Sequence, residues 1–249
     1  MARLQPGDLF AALALLTRLP VPDAPGRHGA RAAWAWPLAG AIVGGLGALA
    51  ALAGLVFGLS GTSAAALALG AQVVASGAMH EDGLADCADG FWGGRDVARR
   101  LEIMKDSRIG TYGVLALILS MMLRWSLIGT LLAMGHVFAP LVAAGALSRV
   151  PMVALMHWLP GARDDGLSAR TGRPDGETLV LAAVVGLLVG LLCTGFAALG
   201  AAVFGAAGAW GVARIARRLI GGQTGDVLGA SQQLAEIGLL AGFALVLPG

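Results

Sequence analysis

Long stretches of this chain carry no charged side chain. Ala32 to His80 is a run of 49 residues without Asp, Glu, Lys or Arg, and Thr178 to Ala213 is another of 36. A helix needs roughly 20 apolar residues to cross a hydrocarbon core, so each run has room for two spans. The apolar segments predict seven: Trp34–Leu59, Thr62–Met79, Ile109–Met134, Val137–Trp158, Leu179–Gly200, a short Gly/Ala-rich one over Ala201–Ala213 with a few flanking residues, and Val227–Leu247. The expected fold is all-α, a polytopic integral membrane helical bundle of about seven transmembrane helices. One domain is expected over 1–249, with a cytoplasmic lead-in at 1–33 and a cytoplasmic acidic loop or helix at 80–110.

Composition agrees. Apolar residues make up 57% of the chain and charged ones 13%, against about 25% charged in a soluble domain. That excludes a soluble enzyme, a secreted disulfide scaffold and a disordered regulator. A net charge of +2 is too small to argue for nucleic acid. Cys87 and Cys193 fall in different kinds of segment, so neither a disulfide framework nor a Cys-based metal site is implied. The short apolar run Leu9 to Leu16 is followed by Arg18, Pro20 and Pro22 without a small-residue cleavage site, so no cleavable signal is expected.

The basic residues alternate between loops. Arg3, Arg18, Arg27 and Arg31 precede the first span, and nothing basic separates it from the second. Arg95, Arg99, Arg100, Lys105 and Arg108 lie between the second and third spans, Arg163, Arg170 and Arg173 after the fourth, and Arg214, Arg217 and Arg218 after the sixth. All 15 Lys and Arg outside the spans therefore fall on one side, which the positive-inside rule makes the cytoplasm, with the N-terminus inside. Gly40-x3-Gly44, Gly54-x3-Gly58 and Gly186-x3-Gly190 predict close helix contacts and allow a homodimer.

Charge concentrates where chemistry is expected: residues 81–110 hold 12 of the 32 charges. In the run from His80 to Gly90, Asp82, Asp86 and Asp89 stand at i, i+4 and i+7, so at about 100° per residue they share one helical face. Like charges so placed repel, unless a divalent cation neutralises them or their pKa values rise. Oxygen-only ligands near a phosphate substrate favour Mg2+ over zinc. His80 is expected as a supporting partner of the acids rather than a ligand. Further on, Val97, Leu101 and Met104 give an apolar stripe, as in a helix at the membrane interface. Asp106 and Arg108, just before a helix start at Gly110, combine an acid with a guanidinium fork suited to a metal-bridged pyrophosphate. The turn Gly221-Gly222-Gln223-Thr224-Gly225-Asp226 opens the last span, and its glycines beside a helix N-terminus predict a phosphate nest. Arg124, Arg149 and Glu236 fall within spans, where contact with a substrate anion and pairing with one another are both open.

With these clusters the chain resembles the cobalamin synthase family, the membrane adenosylcobinamide-GDP ribazoletransferases. The resemblance covers nearly the whole chain, from Thr17-Arg18-Leu19-Pro20-Val21-Pro22 and Trp36-Pro37-Leu38-x-Gly40 through the acidic run, Glu102–Gly110 and Gly221–Asp226. It implies a Mg2+-dependent enzyme of the bacterial inner membrane, its active site facing the cytoplasm. The reaction joins adenosylcobinamide-GDP to α-ribazole or its 5′-phosphate and releases GMP. For this reaction we assign Asp82, Asp86 and Asp89 as metal ligands, and one of the three, Asp89 foremost, or Asp106 is expected to take the proton from the attacking hydroxyl. Arg108, assisted by Lys105, is expected to stabilise the departing GMP. Ser107, Gly222, Thr224, Gly225 and Asp226 are expected to bind substrate.

Two alternatives make different predictions. A CDP-alcohol phosphotransferase carries an Asp-Gly-x-x-Ala-Arg run, where this chain has Asp86 and Cys87 in place of the Ala-Arg pair and lacks the downstream Gly-x3-Asp-x3-Asp. A secondary transporter would concentrate polar groups at mid-membrane, with Arg124, Arg149 and Glu236 as its pathway.

Overall fold

The computed structural model describes residue 5, residues 7–22 and residues 29–248; Arg3 and Arg27 of the basic lead-in lie outside them. Among the described residues every regular element is a helix. In chain order these are α1 (Gly7–Leu16), a short 3-10 helix (Ala30–Ala35), α2 (Trp36–Val56), α3 (Gly61–Ser76), α4 (Met79–Gly93), α5 (Val97–Ile103), α6 (Thr111–Ala133), α7 (Phe138–Leu147), α8 (Val150–Trp158), α9 (Gly166–Thr171), α10 (Gly176–Thr194), α11 (Ala197–Ile220) and α12 (Gly225–Val246).

Among the described residues five stretches are long and apolar enough to cross a membrane: Ala30–Val56, Thr111–Ala133, Phe138–Trp158, Gly176–Thr194 and Ala197–Ile220. The bent pair α3 and α4 makes a sixth if counted as one broken span. The other expected span is present as α12, 22 residues long, but Gln232, Gln233 and Glu236 lower its mean hydropathy. It is surrounded by α4, α6, α7, α8 and α11, so protein rather than lipid covers those polar groups. The boundary between the fifth and sixth spans lies at Gly195 and Phe196, earlier than expected, because the helix runs on through Arg214, Arg217 and Arg218 to Ile220.

Small residues set the closest packing. The carbonyls of Gly145 and Leu141 on α7 sit where side chains at Gly40 and Gly44 of α2 would point, so that glycine pair permits backbone contact. Gly186 meets Val150, and Gly190 meets Leu147 and Ala198. The third expected pair does not form a face: Gly54 meets Leu67, but Gly58 lies in the turn after α2 at φ 83°.

The lead-in is part of the bundle. Ala12, Leu13 and Leu16 of α1 are buried, and the Arg18 N–H donates to the Ala75 carbonyl at 2.8 Å. The Arg18 side chain lies against Gly77, at the corner between α3 and α4. There α3 and α4 meet at 87°, with Gly77 and Ala78 both left-handed at φ 65° and 56°. Glycine adopts this conformation freely; Ala78 is the one described non-Gly residue with positive φ.

Candidate active site

That corner starts α4 in the direction that carries the acids. Asp82 is exposed, Asp86 half-buried and Asp89 buried. The start of α12 crosses α4 at Gly83, where an added Cβ would lie 2.8 Å from the Asp226 carbonyl. This approach brings Asp226 to the acidic face, so Asp86 sits in the field of Asp82, Asp226 and Asp89, countered by Arg163.

Arg163 was expected only as a topological charge, yet it holds this side of the site. Its Nη2 donates to Asp226 Oδ2 at 3.2 Å, and its Nε stands 3.7 Å from Asp165 Oδ1. Lys105 Nζ reaches Asp165 Oδ2 at 2.5 Å. A chain of alternating charge thus runs Lys105, Asp165, Arg163, Asp226 from the α5–α6 loop to the first turn of α12. The signal was the charged triplet Arg163-Asp164-Asp165 beside an apolar span; nothing local told which acid it would meet.

Asp89 shares the face but is already engaged. Its Oδ2 accepts from the Gly110 N–H at 2.7 Å and its Oδ1 from the Gly113 N–H at 2.9 Å. Both donors belong to the N-terminal turn of α6, where N–H groups lack helical partners. Asp89 therefore caps α6. Asp106 pairs with its neighbour Arg108 on the exposed loop, Nη2 to Oδ2 at 2.7 Å, and the guanidinium lowers its carboxyl from the ordinary 3.8 to about 2. Lys105 likewise holds the Asp165 carboxyl below its ordinary range. Ser107 is exposed.

The glycine turn before α12 is built against the α8–α9 loop. Gly222 packs on the Pro160 carbonyl, the Gln223 N–H donates to that oxygen at 2.9 Å, and the Ala162 N–H donates to the Gln223 carbonyl at 2.9 Å. Gln223 Oε1 accepts from Ser168 Oγ at 2.7 Å. Thr224 Oγ1 accepts from the Val227 N–H at 3.3 Å and donates to Asp226 Oδ2 at 3.1 Å. Gly225 faces Leu167 and Ser168. The turn thus positions Asp226, with Gln223 and Thr224 already occupied in doing so.

His80 faces away from the acids. Two residues along a helix turn the side chain by about 200°, so His80 and Asp82 point in nearly opposite directions. His80 lines a cavity of about 10 Å3 with Glu81, Arg124, Arg149, Gln72, Gln232, Gln233 and Glu236. There Arg124 donates to Glu81 at 2.8 Å and Glu236 at 3.1 Å, and Arg149 lies 3.4 Å from Glu236. The choice left open by the sequence is therefore internal pairing, with Glu81 as an additional partner that the acidic run had concealed.

The acid face suits Mg2+ in kind: its side-chain donors are carboxylate oxygens, and around Asp86 they outnumber the one guanidinium. Among the described residues no three His, Cys, Asp or Glu side chains stand together as a ready-made cage.

The model of the cobalamin-5-phosphate synthase family matches residues 8–244, which takes in every motif above. The chain belongs to that family. Among curated relatives of this cobalamin-5-phosphate synthase family member, an adenosylcobinamide-GDP ribazoletransferase of Mesorhizobium japonicum is 46% identical over 235 residues, 94% of this chain and 91% of the relative. Proteins of the same name from Bradyrhizobium diazoefficiens and Azorhizobium caulinodans are 48% and 45% identical over 94% of this chain, and over 91% and 94% of their own lengths. No solved structure matches. The family makes this chain an enzyme of cobalamin synthesis.

Proposed function

We propose that this synthase joins adenosylcobinamide-GDP to α-ribazole or its 5′-phosphate and releases GMP, with Mg2+, at the cytoplasmic face of a bacterial inner membrane. The observation that carries the site assignment is the packing of the Asp226 backbone on Gly83, which sets the start of α12 beside the α4 face that bears Asp82 and Asp86. The family membership carries the reaction. The basic residues of the α4–α6 and α8–α10 connections and of the C-terminal end of α11 support the cytoplasmic orientation.

Asp82 and Asp86 are the residues that would hold Mg2+, with Asp226 the nearest further oxygen donor. The ion, when bound, neutralises charge on the pyrophosphate. The chain does the rest by positioning. Arg163, Lys105 and Arg108 lie on the loops around the acids and suit phosphate oxygens, Arg108 being the most exposed of them, with 87% of its side chain accessible. The attacking ribose hydroxyl forms a bond to the cobinamide-bound phosphorus, and the bond from that phosphorus to the bridging oxygen breaks. GMP leaves with the electron pair. The hydroxyl proton passes to a carboxylate. Asp89 is a poor acceptor, since both its oxygens already take peptide N–H groups. Asp106 is another, since Arg108 keeps it a weak base.

The deciding experiment is GMP release by the purified protein in lipid discs, given adenosylcobinamide-GDP and α-ribazole phosphate with Mg2+ or with EDTA. GMP that needs Mg2+, with a corrinoid product carrying the nucleotide loop, is the expected result. No product from folded protein, or equal product in EDTA, overturns the reading.

A further inference from the structure

A groove opens on the flank of the bundle between α6 and α11, floored by α4 and α12. It encloses about 470 Å3, and its walls are apolar side chains such as Leu119, Leu123, Phe91 and Leu234. Leu119 and Leu123 are themselves 60% and 50% exposed, so the groove opens to whatever surrounds the bundle. Along α11 it extends from Ala207 to Ile215, about 12 Å at 1.5 Å per residue.

Gly211 and Ile215 of this groove also line a second cavity, of about 700 Å3. Its remaining walls include Leu159, Trp210, Arg214, Arg217 and Arg218. The two spaces lie side by side along α11, sharing Gly211 and Ile215, the first apolar and the second flanked by the three arginines. Arg214 lies over the Trp210 ring, 5.7 Å from its centroid. All three arginines are exposed, and among the described residues none is in an ion pair with a carboxylate.

We propose that this groove binds an anionic phospholipid, its acyl chain between α6 and α11 and its phosphate on Arg214, Arg217 and Arg218. Charge complementarity identifies the occupant: three unpaired guanidinium groups at the mouth of an apolar groove match a phosphate joined to a hydrocarbon tail. Guanidinium forks suit phosphate oxygens, and Trp210 is the residue type that prefers the headgroup level. Topological anchoring would explain the charges but not their position at the mouth of the groove. A Cβ on Gly211 would meet nothing within 4 Å, so that position is left open rather than used for packing. A tail in the groove would touch Cys87 and Phe91 on α4 and so brace the helix that carries the acids.

The test is lipid retention by the purified, delipidated protein, read by native mass spectrometry after titration with phosphatidylglycerol or phosphatidylcholine. Wild type should retain phosphatidylglycerol about tenfold better than phosphatidylcholine. Gly211→Leu fills the groove at an unpacked helical position and should weaken retention of both lipids without lowering the melting temperature. Arg217→Gln with Arg218→Gln, at exposed positions, should remove the preference while leaving weak binding of both. Equal retention of the two lipids by wild type overturns the proposal, as does Gly211→Leu protein that keeps phosphatidylglycerol unchanged. Displacement of the lipid by inorganic phosphate or GMP would instead assign the mouth to a soluble phosphate. A dimer that Gly211→Leu dissociates would assign the groove to a second copy of the chain. The readout is independent of transferase activity.

Discussion

Arg124 Nη1 donates to Glu81 Oε1 at 2.8 Å between two side chains that are 2% and 6% exposed. The pair ties α6 to α4 one residue away from Asp82. With Glu236 and Arg149 it forms a buried group of two cations and two anions, and Gln72 and Gln233 also bond Arg124. A charge in such surroundings is tolerable only when paired. The group therefore fixes how α4, α6, α12 and the α7–α8 junction sit against one another. An internal space of about 10 Å3 is near the size of one water, which argues against a transport pathway through these residues.

Removing one partner should leave the other charge buried and alone. Arg124→Met is expected to cost about 3–5 kcal/mol, seen as a large fall in melting temperature in detergent. The double variant Arg124→Met with Glu81→Gln should recover part of that loss. Additive losses would show that the two residues are not coupled.

Asp86→Asn should abolish GMP release and leave the melting temperature near that of wild type. Asp89→Ala should lower stability by about 1–2 kcal/mol through loss of the α6 cap. Measured together, the two variants separate a metal ligand from a cap. Asp89→Ala protein as stable as wild type would count against the cap.

Gly83→Ala places a methyl group against the backbone of α12. The helices must separate there, and overpacking of this kind costs about 1–3 kcal/mol. The same shift moves Asp226 away from Asp86. Activity should therefore fall and more Mg2+ should be needed to reach half-maximal rate. A variant with an unchanged Mg2+ requirement would show that Asp226 lies outside the metal site.

The Asp106 carboxyl titrates at about 2, below its ordinary 3.8, because Arg108 pairs with it. The folded value is the lower one. The pair therefore contributes stability above pH 3.8 and loses it as pH falls through about 2. In Asp106→Asn, thermal melts against pH should show a small deficit at neutral pH that shrinks on acidification. The acid limb of the activity profile should persist in that variant. Its disappearance would return Asp106 to the role of base.

The membrane bundle was legible because hydropathy and loop charge act locally: a charge-free run long enough to span must be a helix wherever it sits. The clustering of Asp82, Asp86 and Asp89 on one face was equally local, since helical period alone fixes it. The sequence could not tell that Asp89 caps α6, because its donors, Gly110 and Gly113, lie 21 and 24 residues away. For the same reason Arg163, 63 residues before Asp226, read as a topological charge. Glu81 was hidden among like neighbours, although Gln232, Gln233 and Glu236 on one helix already pointed to a buried polar face. Which acids remain free for chemistry and which are used in structure depends on contacts between distant helices. Those contacts are set by the turn at Gly77 and Ala78 and by the approach at Gly83, so only the tertiary structure decided them.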